Sequence, residues 1–380
     1  MLAVGLTEGD AQLLWRPAAD GAPDSRDPLL EARRALSALH PRYVRLLVDW
    51  AALQPDPRRR PALAARVPGC ARSVEPCAPF DGVQAQLEAI ASQQRASGGF
   101  QVLVDILAAP AWALAPAHGC ESADAPRSAM TIRPAALADY RALIAGLLAL
   151  GRRAGAQLTY WSPWNEPNDP RFMNPQRAAC STSAAPLAPQ AYAQLAEAMA
   201  AELVAQGGEH QLVLGELGGY LDGSAHRIGV GEFVAALPAR LLCTADVWSV
   251  HAYSRWGARG PAPDPVPALE GALASRRAAC AGRPARIWVT EVGAGAEDPG
   301  HPRAGAASEG RLGCLALAAS VARWAGDRSV AAVFQYTFRD DPAFPVGLSS
   351  ADLSRLYPTY ELWLRLAQGA PADTLAAACQ

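Results

Sequence analysis

Eight apolar runs of strand length recur through the 380 residues, at 2–6, 43–48, 100–107, 157–161, 211–216, 246–253, 286–291 and 330–336. Each is followed by a stretch with helical periodicity, at 29–39, 82–96, 135–154, 189–205, 229–242, 265–281, 309–325 and 357–368. Strand and helix alternate from one end to the other with no low-complexity linker, which is the pattern of a parallel α/β sheet. Eight uninterrupted units predict an α/β fold of one kind, a single (β/α)8 barrel occupying residues 1–380. A doubly wound nucleotide-binding sheet would carry a glycine fingerprint after its first strand. The turn there reads Gly5-Leu6-Thr7-Glu8-Gly9 and lacks GxGxxG.

Composition excludes further classes. Thirty-four basic against 36 acidic residues leave a formal charge of −2, so no attraction to nucleic acid is expected. All 34 basic residues are arginine, which removes Schiff-base lysine chemistry and the lysine-bearing phosphate loop. No apolar run reaches the roughly 18 residues of a membrane span, so a soluble protein without membrane insertion is expected. Residues 1–6 are too short for a signal peptide and read as the first strand. Cysteines stand at 70, 77, 120, 180, 243, 280, 314 and 379, with no CxxC and no clustered histidine. That distribution predicts disulfides rather than metal ligands, and hence a secreted, periplasmic or cell-surface protein whose signal has been removed. Cys70 with Cys77 and Cys120 with Cys180 are the expected pairs. Neither cofactor nor metal is implied.

In such barrels the functional face lies at the C-terminal ends of the strands. The connections after strands two, three, four, six and eight are long, which predicts loops that shape a substrate pocket. The fourth strand runs out through Trp161-Ser162-Pro163-Trp164-Asn165-Glu166-Pro167-Asn168 and the seventh through Trp288-Val289-Thr290-Glu291. Strands four and seven lie across the barrel mouth from each other, so Glu166 and Glu291 would oppose one another over a bound substrate. Glycoside hydrolysis needs two such carboxyl groups, one to protonate the leaving oxygen and one to attack or stabilise the anomeric carbon. Glu166, flanked by Trp161 and Trp164, suits the acid and Glu291 the nucleophile.

The segment Trp164-Asn165-Glu166-Pro167-Asn168 resembles the Asn-Glu-Pro signature of clan A glycoside hydrolases, family 39 most and family 5 next. Glu291 ending strand seven, His251-Ala252-Tyr253 ending strand six and Arg45 on strand two are similar to that clan's pattern. The resemblance implies a retaining, double-displacement hydrolase of O-glycosidic bonds in a plant or bacterial oligo- or polysaccharide. Glu166 would be the acid/base, Glu291 the nucleophile and Asn165 a donor to the sugar 2-hydroxyl. His251 and Tyr253 would border the nucleophile, with Arg45 beneath it. The sequence departs from the clan after strand eight, where Phe334-Gln335-Tyr336-Thr337-Phe338 replaces the usual tryptophan floor; Tyr336 or Phe338 stands in for it.

Trp50, Trp112 and Trp164 are candidate sugar platforms, since aromatic faces stack on sugar C–H faces. Trp15, Trp248, Trp288, Trp324 and Trp363 read as packing residues. Glu216, closing strand five, points to the same face without a fixed role. Two other readings stand beside the retaining hydrolase: a non-catalytic carbohydrate-binding barrel, and an inverting enzyme, which would hold its carboxyl groups about 6.5 to 9.5 Å apart rather than about 5 to 5.5 Å.

Overall fold

Alternating side chains dictate how the eight runs assemble. β1 (Ala3–Thr7), β2 (Tyr43–Asp49), β3 (Gln101–Leu107), β4 (Tyr160–Ser162), β5 (Gln211–Leu217), β6 (Val247–His251), β7 (Arg286–Val292) and β8 (Val330–Tyr336) pair in chain order, all parallel. β8 returns to β1, with Ala3 opposite Ala332 and Thr7 opposite Tyr336, so the sheet closes into a barrel. The computed structural model describes residues 2–8, 13, 28–64, 67–68, 79–80, 82–96, 100–253, 256–257, 260–261, 263–278, 280, 284–295, 307–341 and 344–380.

Around the barrel run α1 (Pro28–Ala38), α2 (Gly82–Ala96), α3 (Leu137–Ala154), α4 (Ala188–Gln206), α5 (Val230–Ala236), α6 (Val266–Arg276), α7 (Ala307–Gly326) and α8 (Pro358–Ala367). The fifth helical stretch is shorter than the periodicity implies. It breaks at Leu237-Pro238, because proline lacks the N–H that would continue the ladder, and resumes as one turn at Ala239–Leu242. The segment Pro134–Ala154, which contains α3, is long and apolar enough by length and composition to cross a bilayer. Here Tyr140, Leu143, Ile144 and Leu147 are buried while Asp139 and Arg141 interrupt the run, which makes the helix amphipathic.

Period two sorts each strand between two cores. Val44, Leu46 and Val48 of β2, like Val102, Val104 and Ile106 of β3, face the helices. The intervening Tyr43 and Leu103 point into the barrel and join Tyr160, Val213, Val247, Trp288, Ala332 and Phe334 in a plug. Its rings pack closely, Tyr43 on Trp288 at 4.5 Å and Tyr160 on Trp288 at 4.6 Å between centroids. Gly5 is required beside it, since a Cβ there would lie 2.5 Å from the Phe334 ring. Two residues further along β2 and β3, the same inward period brings Arg45 and Asp105 above the plug, where the interior turns polar.

Disulfides brace the ends of the elements. Cys120–Cys180 ties the loop after β3 to the loop after β4, the expected pair. Cys243–Cys280 and Cys314–Cys379 are pairs that the spacing did not single out. Cys70 and Cys77 lie outside the described residues. Among the described residues no cysteine is free.

Candidate active site

Each carboxylate at the barrel mouth is aimed by a local departure from regular strand geometry. Glu166 leaves β4 with φ +37° and Glu216 sits near the end of β5 with φ +49°, a left-handed conformation that costs about 1–2 kcal/mol for a residue with a Cβ. Gly215, at φ +111°, makes the second turn possible, because a Cβ there would run into the Ser249 carbonyl oxygen. The ladder between β5 and β6 shifts register between Leu214 and Leu217. An extra residue at that point rotates Glu216 into the barrel, where Ser249 Oγ accepts its backbone N–H at 2.6 Å. β7 has a similar irregularity between Val289 and Glu291 against β6, which turns Glu291 inward.

Arg45 is the hub. It is fully buried, and its Nη1 donates to Glu291 Oε1 at 2.5 Å while Nη2 reaches Asp105 Oδ2 at 2.7 Å, Glu216 Oε2 at 2.7 Å and Asn165 Oδ1 at 2.6 Å. Burial opposes the charge on this guanidinium, but Glu216, Asp105 and Glu291 together raise its affinity for the proton far above the ordinary arginine value. Three acidic groups around one cation leave the layer rich in negative charge. Burial pushes Asp105 above the ordinary aspartate value, against the pull of Arg45. Burial would do the same to Glu216, but Arg45 and His251 draw it below the usual carboxylate range.

His251 completes the layer. Its Nδ1 lies 2.8 Å from Glu166 Oε1 and 3.3 Å from Glu291 Oε2, and its Nε2 lies 3.2 Å from Glu216 Oε2. Burial would lower this imidazole, but Glu291, Glu166 and Glu216 push it up to about 10, so it is an imidazolium at neutral pH. Tyr253 donates to Glu291 Oε2 at 2.5 Å. Glu291 therefore receives Arg45 on one oxygen and Tyr253 and His251 on the other. A carboxylate oxygen of Glu166 and one of Glu291 lie within 4.8 Å of each other, with His251 between them. Glu166, His251 and Glu291 also have the side-chain types of a metal site, but the imidazolium, which has no lone pair to give, and the guanidinium on Glu291 argue against a cation there.

The sequence candidates divide. Glu166, Glu291, Asn165, His251, Tyr253, Arg45 and Glu216 come together in this one layer. Tyr336 joins them at the mouth, its ring edge-on to Tyr253 at 6.3 Å and to Phe344 at 5.9 Å, and half-buried. Phe338, the other stand-in for the missing tryptophan, is wholly buried and packs on Tyr360 of α8. Trp50 has no exposed face, being enclosed by Trp112 and Tyr140 with its Nε1 on Gln54 Oε1, so it is a packing residue and not a platform. Trp164 is 1% exposed and donates to the Phe172 carbonyl, which makes it a support for the loop that carries Glu166. Trp112 alone of the three keeps a partly exposed ring. Trp248, Trp288, Trp324 and Trp363 are buried, as read, and Trp15 lies outside the described residues.

Asp105 and Ser249 were missed. Asp105 carried a signal, since it is the one charge in the apolar run Val102-Leu103-Val104-Asp105-Ile106-Leu107 and must find a partner when buried. Ser249 carried none, because its role is set by the turn at Glu216.

No protein-family model matches the chain, and no curated protein matches it in sequence. Solved structures do. A family 39 glycoside hydrolase from the gut symbiont Bacteroides cellulosilyticus WH2 superposes over 96% of this chain and 63% of its own length, with 18% identity and a TM-score of 0.56. A GH30 endoxylanase from Clostridium papyrosolvens C71 matches over 97% of this chain and 72% of its own, at 12% identity and TM-score 0.56. A monomeric beta-xylosidase from Caulobacter crescentus CB15 matches over 96% and 67%, at 15% identity and TM-score 0.53. The chain thus spans just under two thirds of the family 39 enzyme, and it has the fold that these glycoside hydrolases share.

Proposed function

We propose that the protein is a retaining glycoside hydrolase, one (β/α)8 catalytic domain acting on a plant or bacterial oligo- or polysaccharide outside the cytoplasm. The observation that carries the reading is the approach of the Glu166 and Glu291 oxygens to within 4.8 Å across the barrel mouth. That closeness supports a nucleophile and an acid on either side of one glycosidic bond, the arrangement of a retaining enzyme.

In this reading Glu291, oriented by Arg45 and Tyr253, attacks the anomeric carbon while Glu166 protonates the departing oxygen. A covalent glycosyl-enzyme forms and the first product leaves. Glu166 then takes a proton from water, which attacks the same carbon and releases Glu291. His251, hydrogen-bonded to Glu166 and Glu216, keeps a proton beside the acid/base through both steps, so that protons are held by the cluster and not by one side chain. Asn165, fixed by Arg45, is free to meet a sugar hydroxyl with its amide N–H. Three disulfides among the described residues favour an oxidising compartment.

Intact-mass spectrometry with mechanism-based probes of xylo, gluco, galacto and arabinofuranosyl configuration tests the reading. A single adduct on Glu291, absent from Glu291→Gln, is the expected result. Glycan binding without adduct or product would instead make the protein a carbohydrate-binding barrel, and product without adduct an inverting enzyme.

A further inference from the structure

Two arginines stand beside the acid/base on a scaffold that the reaction itself does not use. Arg171, four residues after the pair Glu166-Pro167, has its Nη2 3.9 Å from Glu166 Oε2. Its Nε and Nη2 each hold an oxygen of the buried Asp169 at 3.0 Å, and Nη2 also reaches Tyr220 Oη at 3.2 Å. Nη1 has no protein partner among the described residues, although the side chain is 60% exposed. Arg227, from the loop after β5, lays its guanidinium over the Tyr220 ring at 3.9 Å, with its Nε buried and unpaired and 3.9 Å from Asp169 Oδ2. Asp169 is held below the usual carboxylate range; burial opposes this, and the bonds from Arg171 and Tyr220 outweigh it.

The support is rigid. Asn168 donates to the carbonyls of Gly218 and Ile228 and accepts the Gly218 N–H, which locks the Glu166 loop to the Arg227 loop. Arg177, itself buried, clamps the same loop through the Ser224 carbonyl and a bidentate bond to Glu232. Two guanidiniums face Asp169 and Glu166, so by formal count the group carries about +1 when Glu166 holds the proton it gives to the leaving oxygen. In a chain of net charge −2, that positive patch sits at the edge of the carboxylate-rich site.

We infer that Arg171 and Arg227 form a leaving-group subsite for an anionic sugar, one bearing a carboxylate or a sulfate ester. The inference rests on the glycosidase reading, because it is Glu166 as acid that fixes which side the leaving group occupies. The leaving oxygen must meet Glu166, whose Oε1 turns to His251 and the nucleophile side while its Oε2 turns to Arg171, so that what the oxygen carries comes within reach of Arg171. A planar guanidinium with a free Nη1 recognises an anion by charge-assisted hydrogen bonds. Arg227, stacked on Tyr220, supplies the second cation.

The test uses aryl glycosides of 4-hydroxybenzoate, of 4-hydroxybenzenesulfonate and of neutral 4-hydroxybenzamide, in the sugar configurations of the probe panel. The ratio of kcat/KM for anionic over neutral leaving groups is compared between the wild type and Arg171→Gln, Arg227→Gln and Arg171→Lys. Taking the ratio within each protein cancels a general loss of activity in a variant, and comparing the ratios between proteins cancels the intrinsic reactivity of the leaving groups. Arg171→Gln should lower the ratio about tenfold and Arg227→Gln somewhat less, with Arg171→Lys recovering part of it, and the wild-type ratio should fall as NaCl rises. Loss for the carboxylate alone identifies a uronate subsite; loss for both anions identifies a site that also takes sulfate esters. Hydrolysis of all three glycosides with a ratio that neither glutamine variant changes overturns the subsite and leaves the hydrolase standing. Absence of hydrolysis and of probe adduct in the wild type removes the hydrolase reading, and the subsite with it.

Discussion

Replacing His251 with glutamine should flatten the dependence of stability on pH between about 6.5 and 10. The imidazole is buried and faces Glu166, Glu216 and Glu291, with Asp105 and Tyr253 around them. Burial works against its proton, but Glu291 and the two other carboxylates outweigh that and push it up to about 10 from an ordinary value of 6.5. A group that binds its proton more tightly when folded stabilises the protein fully below its unfolded pKa, and this stability is lost as pH rises through the folded value. At about 1.4 kcal/mol per tenfold in proton affinity, the contribution at stake is about 5 kcal/mol. For a chain of this length the unfolding entropy is roughly 0.8 kcal/mol/K, so the midpoint should fall by about 6 °C across the window from this group. Asp105, pushed up by burial, acts with the same sign, whereas Glu216 is already ionised throughout. The wild type should therefore fall further than His251 alone requires, and the difference between wild type and His251→Gln reports the imidazole together with its coupling to Asp105 and Glu216. Thermal unfolding of both proteins at half-unit pH steps measures it. Parallel curves for the two would mean that His251 is not an imidazolium in the native protein, and the account of how the cluster holds its proton would fall.

Two further substitutions test how the layer is built. Arg45→Met removes the cation shared by Asp105, Glu216 and Glu291; leaving these buried carboxylates without their shared guanidinium should cost about 3–5 kcal/mol, seen as a midpoint lowered by several degrees and least so at acidic pH, where they can be protonated. Gly215→Ala forces a Cβ onto the Ser249 carbonyl at φ +111°; it should destabilise by about 2–4 kcal/mol in chemical denaturation, and activity in the folded fraction should fall as Glu216 loses its aim. Unaltered stability in either variant would refute the role given to that residue.

The eight strands were legible because closing a barrel asks little of each one beyond length and alternation, and those are local properties. Glu166 and Glu291 were legible for a related reason, since a polar residue that ends an apolar strand is placed on the functional face by topology alone. Trp50 and Trp164 misled because an aromatic near a strand end reads the same whether its ring meets solvent or its neighbours, and only the packing of Trp112, Tyr140 and the loop at Phe172 decided it. The break at Pro238 lay in the sequence as a known helix breaker within the periodic run.

By itself, then, the sequence determined the barrel, the polar strand ends at its mouth and the pair of opposed carboxylates, because each follows from short-range periodicity and a fixed order of strands. The tertiary structure decided what those residues mean to one another. Arg45, Asp105, Glu216 and His251 come from four different strands, and their charges acquire values only when burial removes water and leaves each the neighbour of the others. Arg171 and Arg227 lie 56 positions apart in two loops and meet over Asp169 and Tyr220 only because Asn168 and Arg177 bind those loops together. No local pattern encodes such a meeting, since Coulomb energy and desolvation depend on distance in space and not along the chain.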